Sequence, residues 1–174
     1  MHAKLIFVSS LDGKITHWDD PIVKKWSSSE DKRYFEETWD KAPVIVIGSR
    51  TFDVDPISPT KTHLLVVMTS HPEKYQSYTV AGQLEFTSAS PEEIFHQYEQ
   101  AGYQQMLVAG GAHVATSFLK AKLIDELWLT VEPKIFGHGS NFVADEPIEV
   151  ELELLSSEKV NERGTLINKY RVLK

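Results

Sequence analysis

The sequence predicts an α/β fold: a mixed, mainly parallel sheet flanked by helices, with antiparallel strands at its C-terminal end. Three observations predict it. Short continuous apolar runs recur through the first three quarters of the chain, as strands buried on both faces require. Stretches with helical spacing of apolar residues separate those runs, and this alternation favours parallel pairing. After Pro133 the helical stretches stop and the apolar pattern alternates residue by residue, as in half-exposed antiparallel strands.

Taken in order, Lys4–Ser9 (KLIFVS) is the first buried strand, closed by turn chemistry at Asp12-Gly13. Ser27-Ser28-Ser29-Glu30-Asp31 has hydroxyl caps followed by acids, which marks a helix start. Tyr34, Phe35, Thr38 and Trp39 supply the helix's stripe. Val44–Ile47 is the second strand, ending at a turn over Gly48-Ser49-Arg50-Thr51, and His63–Thr69 is the third, closed by Ser70-His71-Pro72. Pro91-Glu92-Glu93 opens another helix, with Ile94, Phe95 and Tyr98 on its apolar face and Gly102 at its end. Gln105–Lys120 reads as strand, glycine turn at Gly110-Gly111, then a helix with Val114, Phe118 and Leu119 inward. Leu123–Val131 is a strand stopped by Pro133, and a glycine-punctuated loop follows over 134–140. Val150–Leu155 and Thr165–Val172 alternate and pair across a turn near Asn161–Gly164.

Composition narrows the function classes. The 174 residues suit one domain spanning 1–174 with a substantial core. A net charge of −7, with no basic run, argues against nucleic acid and against an anionic membrane surface. Small anions remain compatible, since a few local cations hold them. Without cysteine there is no disulfide, thiolate metal site or cysteine nucleophile, which fits a reducing cytoplasm. The N-terminal apolar run is too short for a signal peptide, and no stretch is long enough to cross a membrane. No His-Glu-x-x-His pair occurs among the 7 histidines, so no metal site is expected. No serine sits in a nucleophile-elbow context either, which argues against acyl hydrolysis.

In open α/β sheets ligands settle beyond the carboxyl ends of the strands. Those ends carry Ser9–Asp12, Gly48–Thr51, Thr69–His71 and Ala109–Ala112, all rich in small and hydroxyl residues. A strand, two glycines and a helix start also aim free N–H groups and a positive dipole end at one point, which suits a phosphate. The alternative is a plain turn that needs a positive φ.

The set Ser10-Leu11-Asp12-Gly13-Lys14, Gly48-Ser49-Arg50-Thr51, Ala109-Gly110-Gly111, Asp125-Glu126-Leu127 and Pro133–Gly139 resembles the dihydrofolate reductase-like superfamily. The nearer match is the reductase domain of the bifunctional riboflavin-biosynthesis deaminase/reductase and its stand-alone relatives, in order along nearly the whole chain. The resemblance implies NADPH as cofactor, a small-molecule substrate and, often, a homodimer. It places Gly110, Gly111, Ala112, His113 and Val114 around the cofactor pyrophosphate, with Gly48, Ser49, Arg50 and Thr51 as the second cofactor turn. Arg50 is then the candidate for the adenosine 2′-phosphate, because a guanidinium fork pairs well with phosphate. Ser70 and His71 are candidates for the same pocket, Asp55 matches an acidic position near the cofactor, and Trp26 an aromatic near the nicotinamide. Ala109 stands where the riboflavin-type reductases carry a glutamate that helps bind substrate. Asp31 and Phe35 have the spacing that dihydrofolate reductases use on their first helix.

Each candidate has a structural alternative. Asp31 is a proton-handling group or a first-turn carboxylate completing a helix start. Asp12 lines the nicotinamide pocket or is simply a turn residue. Trp39 and Trp128 are expected in the core, and Glu149–Glu153 is expected to blunt a sheet edge. The expectation is an NADPH-dependent reductase of a small heterocycle, pterin- or pyrimidine-like, with Asp31 or Asp12 assisting protonation. Dihydrofolate reductase proper, or a non-catalytic nucleotide-binding module, is the alternative.

Overall fold

The computed structural model describes all 174 residues. Its centre is one eight-stranded sheet in the order β4-β3-β2-β5-β1-β6-β8-β7. The strands are β1 (His2–Ser10), β2 (Val44–Gly48), β3 (Leu64–Met68), β4 (Leu84–Thr87), β5 (Gln105–Val108), β6 (Glu126–Glu132), β7 (Leu152–Lys159) and β8 (Leu166–Val172). The helices are α1 (Ser29–Lys41), α2 (Ser49–Val54), α3 (Pro91–Gln100) and α4 (Ala112–Lys120). Strands β1 to β6 are mutually parallel, and β8 and β7 close the far edge antiparallel. None of the helices is long and apolar enough to cross a membrane.

The continuous apolar runs follow from cover on both faces. Along β2, Ile45 and Ile47 pack into one cluster, against Phe52 of α2 and Tyr34, Phe35 and Trp39 of α1. Val44 and Val46 point the other way, into the cluster that holds Ile94 of α3 with Val114 and Phe118 of α4. Ile45, Ile47 and Phe118 are fully buried, each contributing roughly 1.5–3 kcal/mol of apolar burial. The starts of α1 and α3 are where the serine caps and Pro91, respectively, predict them. Ser28 Oγ accepts from Asp31 N at 3.2 Å, and α3 opens with a capping box between Ser90 and Glu93.

Four features differ from the sequence reading. Gly48 does end β2, but Ser49–Val54 is a short helix rather than a turn, because Phe52 can be buried only if the chain coils back on the sheet. A 3-10 segment, Pro72–Tyr78, then leads to the extra parallel strand β4, whose four residues, LEFT, are too short and mixed for periodicity to reveal. The C-terminal alternating strand is shifted to Leu152–Lys159 and is exposed on both faces, not one, because no helix layer reaches that edge. Trp39 and Trp128 are half-buried at the margin of the core, and the ammonium groups of Lys4 and Lys169, each 4.4 Å from the Trp128 ring, complete its packing by cation–π contacts.

Candidate functional site

The parallel strands deliver their carboxyl ends to one rim. The register sets Gly48 of β2 beside Met68 of β3, and Val46 beside Val108 of β5. The two glycine-bearing bends meet there. A Cβ on Gly110 would lie 3.4 Å from Thr51 Oγ1, and one on Gly48 would press to 3.2 Å against Val114 Cγ2. Gly110 and Gly111 have φ of +153° and +81°, left-handed backbone that an L side chain rarely adopts. That conformation swings the chain from β5 directly into α4. The amides of Gly111, Ala112, His113 and Val114 donate to no acceptor of the chain, and Gly111 provides no side-chain cap. Free amides, a helix dipole and a cradle that a Cβ would fill fit a diphosphate.

The other cofactor candidates are placed as follows. Val114 is buried under the bend, so it offers only its amide, whereas His113 is exposed. Ser49 and Thr51 flank the bend, and the exposed Arg50 forms no ion pair. Ser70 is exposed after β3, and His71 meets Glu73 Oε1 at 3.2 Å. Asp55 is engaged elsewhere: its carboxylate takes Lys24 Nζ at 2.8 Å and ties the segment before α1 to the end of α2.

At the other end of the rim, side chains replace amides. Asp31, in the first turn of α1, is 5% exposed. Burial pushes its carboxyl above the ordinary range. The hydroxyls of Thr130 and Ser27 oppose that shift, and the carboxylate of Glu132 adds to it. Glu132, at the tip of β6, is itself 2% exposed. Its two oxygens are both used, accepting from Ser28 N at 2.7 Å and from Thr165 Oγ1 at 2.7 Å. Thr165 is held in turn by Asn161 Nδ2 at 2.9 Å. Trp26 is buried with its ring edge-on to Phe136 (centroids 5.1 Å apart) and its indole N–H without a partner. Beside it opens a cavity of about 490 Å³ whose lining includes Lys25, Lys134, Arg163 and Glu132.

Asp12 has a different role from Asp31. It is exposed, and its carboxylate accepts from Ser10 Oγ at 2.6 Å, Phe136 N at 3.1 Å and Gly137 N at 2.7 Å. The Ser10 hydroxyl and then the Phe136 amide bring it down to about 2. A carboxylate so saturated holds the loop after β6; it is a poor proton donor near neutral pH.

The structure thus brings Gly48–Thr51 and Gly110–Val114 together, and seats Trp26 and Asp31 near the tip of β6. Sequence reasoning missed Glu132, Thr130, Thr165 and Asn161. Alternation along β6 puts Trp128, Thr130 and Glu132 on one face, which was a usable signal, but nothing local says that α1 covers that face.

Comparison with known proteins agrees with this geometry. A Bacillus subtilis (strain 168) protein, YwjB, itself uncharacterized, is 25% identical over 167 residues, covering 92% of this chain and 88% of its own. A pyrimidine reductase-like protein from Corynebacterium diphtheriae superposes with a TM-score of 0.83 at 16% identity, over 99% of this chain and 92% of that one. Dihydrofolate reductase from Enterococcus faecalis, complexed with NADP(H), superposes with a TM-score of 0.67 at 21% identity, over 98% and 94%. These likenesses establish the dihydrofolate reductase-like fold, and the family model for the RibD C-terminal domain matches residues 4–166. This chain belongs to the RibD C-terminal domain family.

Proposed function

We propose that this protein is an NADPH-dependent oxidoreductase that reduces a small heterocyclic substrate, pyrimidine- or pterin-like, by hydride transfer. One observation carries the reading: the free amides of Gly111–Val114 lie beside the Gly48–Thr51 segment, at a turn whose positive φ at Gly110 and Gly111 disfavours any side chain there. The kinship with pyrimidine reductase-like and dihydrofolate reductase structures supports the substrate class.

When bound, NADPH supplies the hydride; the chain's residues bind, orient and protonate. Gly110–Val114 receive the diphosphate, while Ser49, Arg50, Thr51 and Ser70 border the adenosine end. Arg50, exposed and free of ion pairs, takes the 2′-phosphate. Trp26 borders the reacting end. Asp31 holds a proton at its carboxyl oxygen, available to the substrate nitrogen, because burial keeps it protonated to higher pH than an ordinary aspartate. Asp12 acts through the loop it anchors. A homodimer in the cytoplasm completes the proposal.

Fluorescence titration with NADPH and NADH side by side tests it. NADPH is expected to bind and to be preferred, and Gly111→Asp is expected to abolish binding in a protein that still folds. Unchanged affinity in that variant refutes the phosphate assignment. The buried Asp31 also favours a second reading, dihydrofolate reduction proper, for which tight methotrexate binding is the discriminating result.

A further inference from the structure

We propose that Glu132 is a positioning residue for Asp31: its side chain ties the start of α1, where Asp31 sits, to the start of β8. The proposal rests on the reading of Asp31 given above. Two bonds make the tie. Glu132 Oε1 accepts from Ser28 N, and Ser28 is the N-cap whose hydroxyl receives Asp31 N. Glu132 Oε2 accepts from Thr165 Oγ1, and Asn161 fixes Thr165 with its amide on that hydroxyl and its carbonyl oxygen on the Thr165 N–H. The turn between β7 and β8 is therefore linked through one buried side chain to the turn of helix that carries Asp31.

A buried carboxylate is costly unless its oxygens are hydrogen-bonded, and both oxygens of Glu132 are. An amide side chain at 132 could still accept from Ser28 N, but its NH₂ would donate to Thr165 Oγ1, reversing the bond in which Thr165 now donates. What a carboxylate adds over an amide is a second acceptor, taken by Thr165, and negative charge, which favours the protonated form of Asp31. The other charged groups around the pair are Glu30 and Lys32 on α1 itself, the former meeting Asn161 Nδ2 at 3.3 Å, and Lys25, Lys134 and Arg163 lining the cavity beside Glu132. Lys32 pulls Asp31 the opposite way, and Lys25 is occupied by Asp20. Glu132 is the like charge set against the carboxyl from the sheet side.

The test is a ¹³C-carboxyl NMR titration of aspartate-labelled protein, as wild type and as Glu132→Gln, with Asp31→Asn to assign the signal. It needs no substrate. The Asp31 midpoint is expected to fall in Glu132→Gln, with the fold unchanged; an unmoved midpoint overturns the proposal. In steady-state assays the alkaline limb of kcat is expected to shift to lower pH in the same variant. Glu132→Ala, which also loses the tie, is expected to lower kcat by about 10- to 100-fold with little change in KM, and Glu132→Gln is expected to recover most of that loss at low pH. A midpoint that falls while Asp31→Asn leaves turnover untouched refutes the proton role of Asp31 and leaves the tuning by Glu132 standing. Loss of NADPH binding in Glu132→Gln overturns the proposal, because a positioning residue for Asp31 leaves the diphosphate cradle intact.

Discussion

The two ends of the rim solve their chemistry with different materials. At β2 and β5 the working groups are main-chain amides, free because two glycines turn the chain straight into a helix. At β6 and α1 they are side chains: Asp31 and Glu132 are 5% and 2% exposed, wrapped by Ser27, Ser28, Thr130 and Thr165. The amide end attracts an anion through geometry that the pH of the medium does not change. The carboxylate end stores a proton, and its state follows pH and neighbouring charge. One rim therefore offers a steady grip for a cofactor and a titratable contact for whatever reacts beside it.

The largest effect is expected at the amide end. Gly111→Asp puts an anion on the cradle and is expected to leave no measurable NADPH binding, while Asp31 still titrates as in wild type. Loss of both together breaks the separation of the two ends. Next, Asp31→Asn is expected to cut turnover by about 10²- to 10⁴-fold, the usual contribution of a positioned acid, with NADPH affinity unchanged. The same variant has a stability signature. A carboxyl whose folded value lies above its unfolded one destabilises the folded state as pH rises from the unfolded value through the folded one. Asp31→Asn removes that cost, so its Tm is expected to exceed wild type at neutral pH and to converge with it in acid; a lower Tm at neutral pH contradicts the burial effect.

Smaller effects sharpen the division. Arg50→Ala is expected to weaken NADPH by about 10- to 100-fold, the worth of a charge-assisted contact, and to leave NADH unaffected; equal losses for both cofactors rule out a 2′-phosphate contact. Asp12→Asn is expected to be the mildest. It loosens the loop that Phe136 and Gly137 anchor and changes turnover a few-fold, with no shift in the pH profile. A displaced profile returns Asp12 to the proton chemistry.

Legibility in the sequence follows the same division. The buried strands were readable because cover on both faces makes a strand apolar at every position, as in Val44–Ile47. The helix starts were readable because Ser28 caps with its own side chain and Pro91, with acids beside it, opens α3. The β4 strand was not, since four mixed residues carry no period, and the exposure of β7 was not, since Leu152 and Leu154 alternate whether or not a layer covers them.

By itself, then, the chain's order of residues determined the buried parallel strands other than β4, the starts of α1 and α3, and the Gly110–Gly111 turn, all local consequences of periodicity, capping and backbone freedom. Only the tertiary structure decided that Gly110 packs on Thr51, that Glu132 reaches Ser28 across 104 positions, and that Asp12 closes on a loop 124 residues away. The reason is physical. Burial and like-charge proximity, which decide what a carboxylate does, depend on distances in space, and one chain's sequence records distance only along itself.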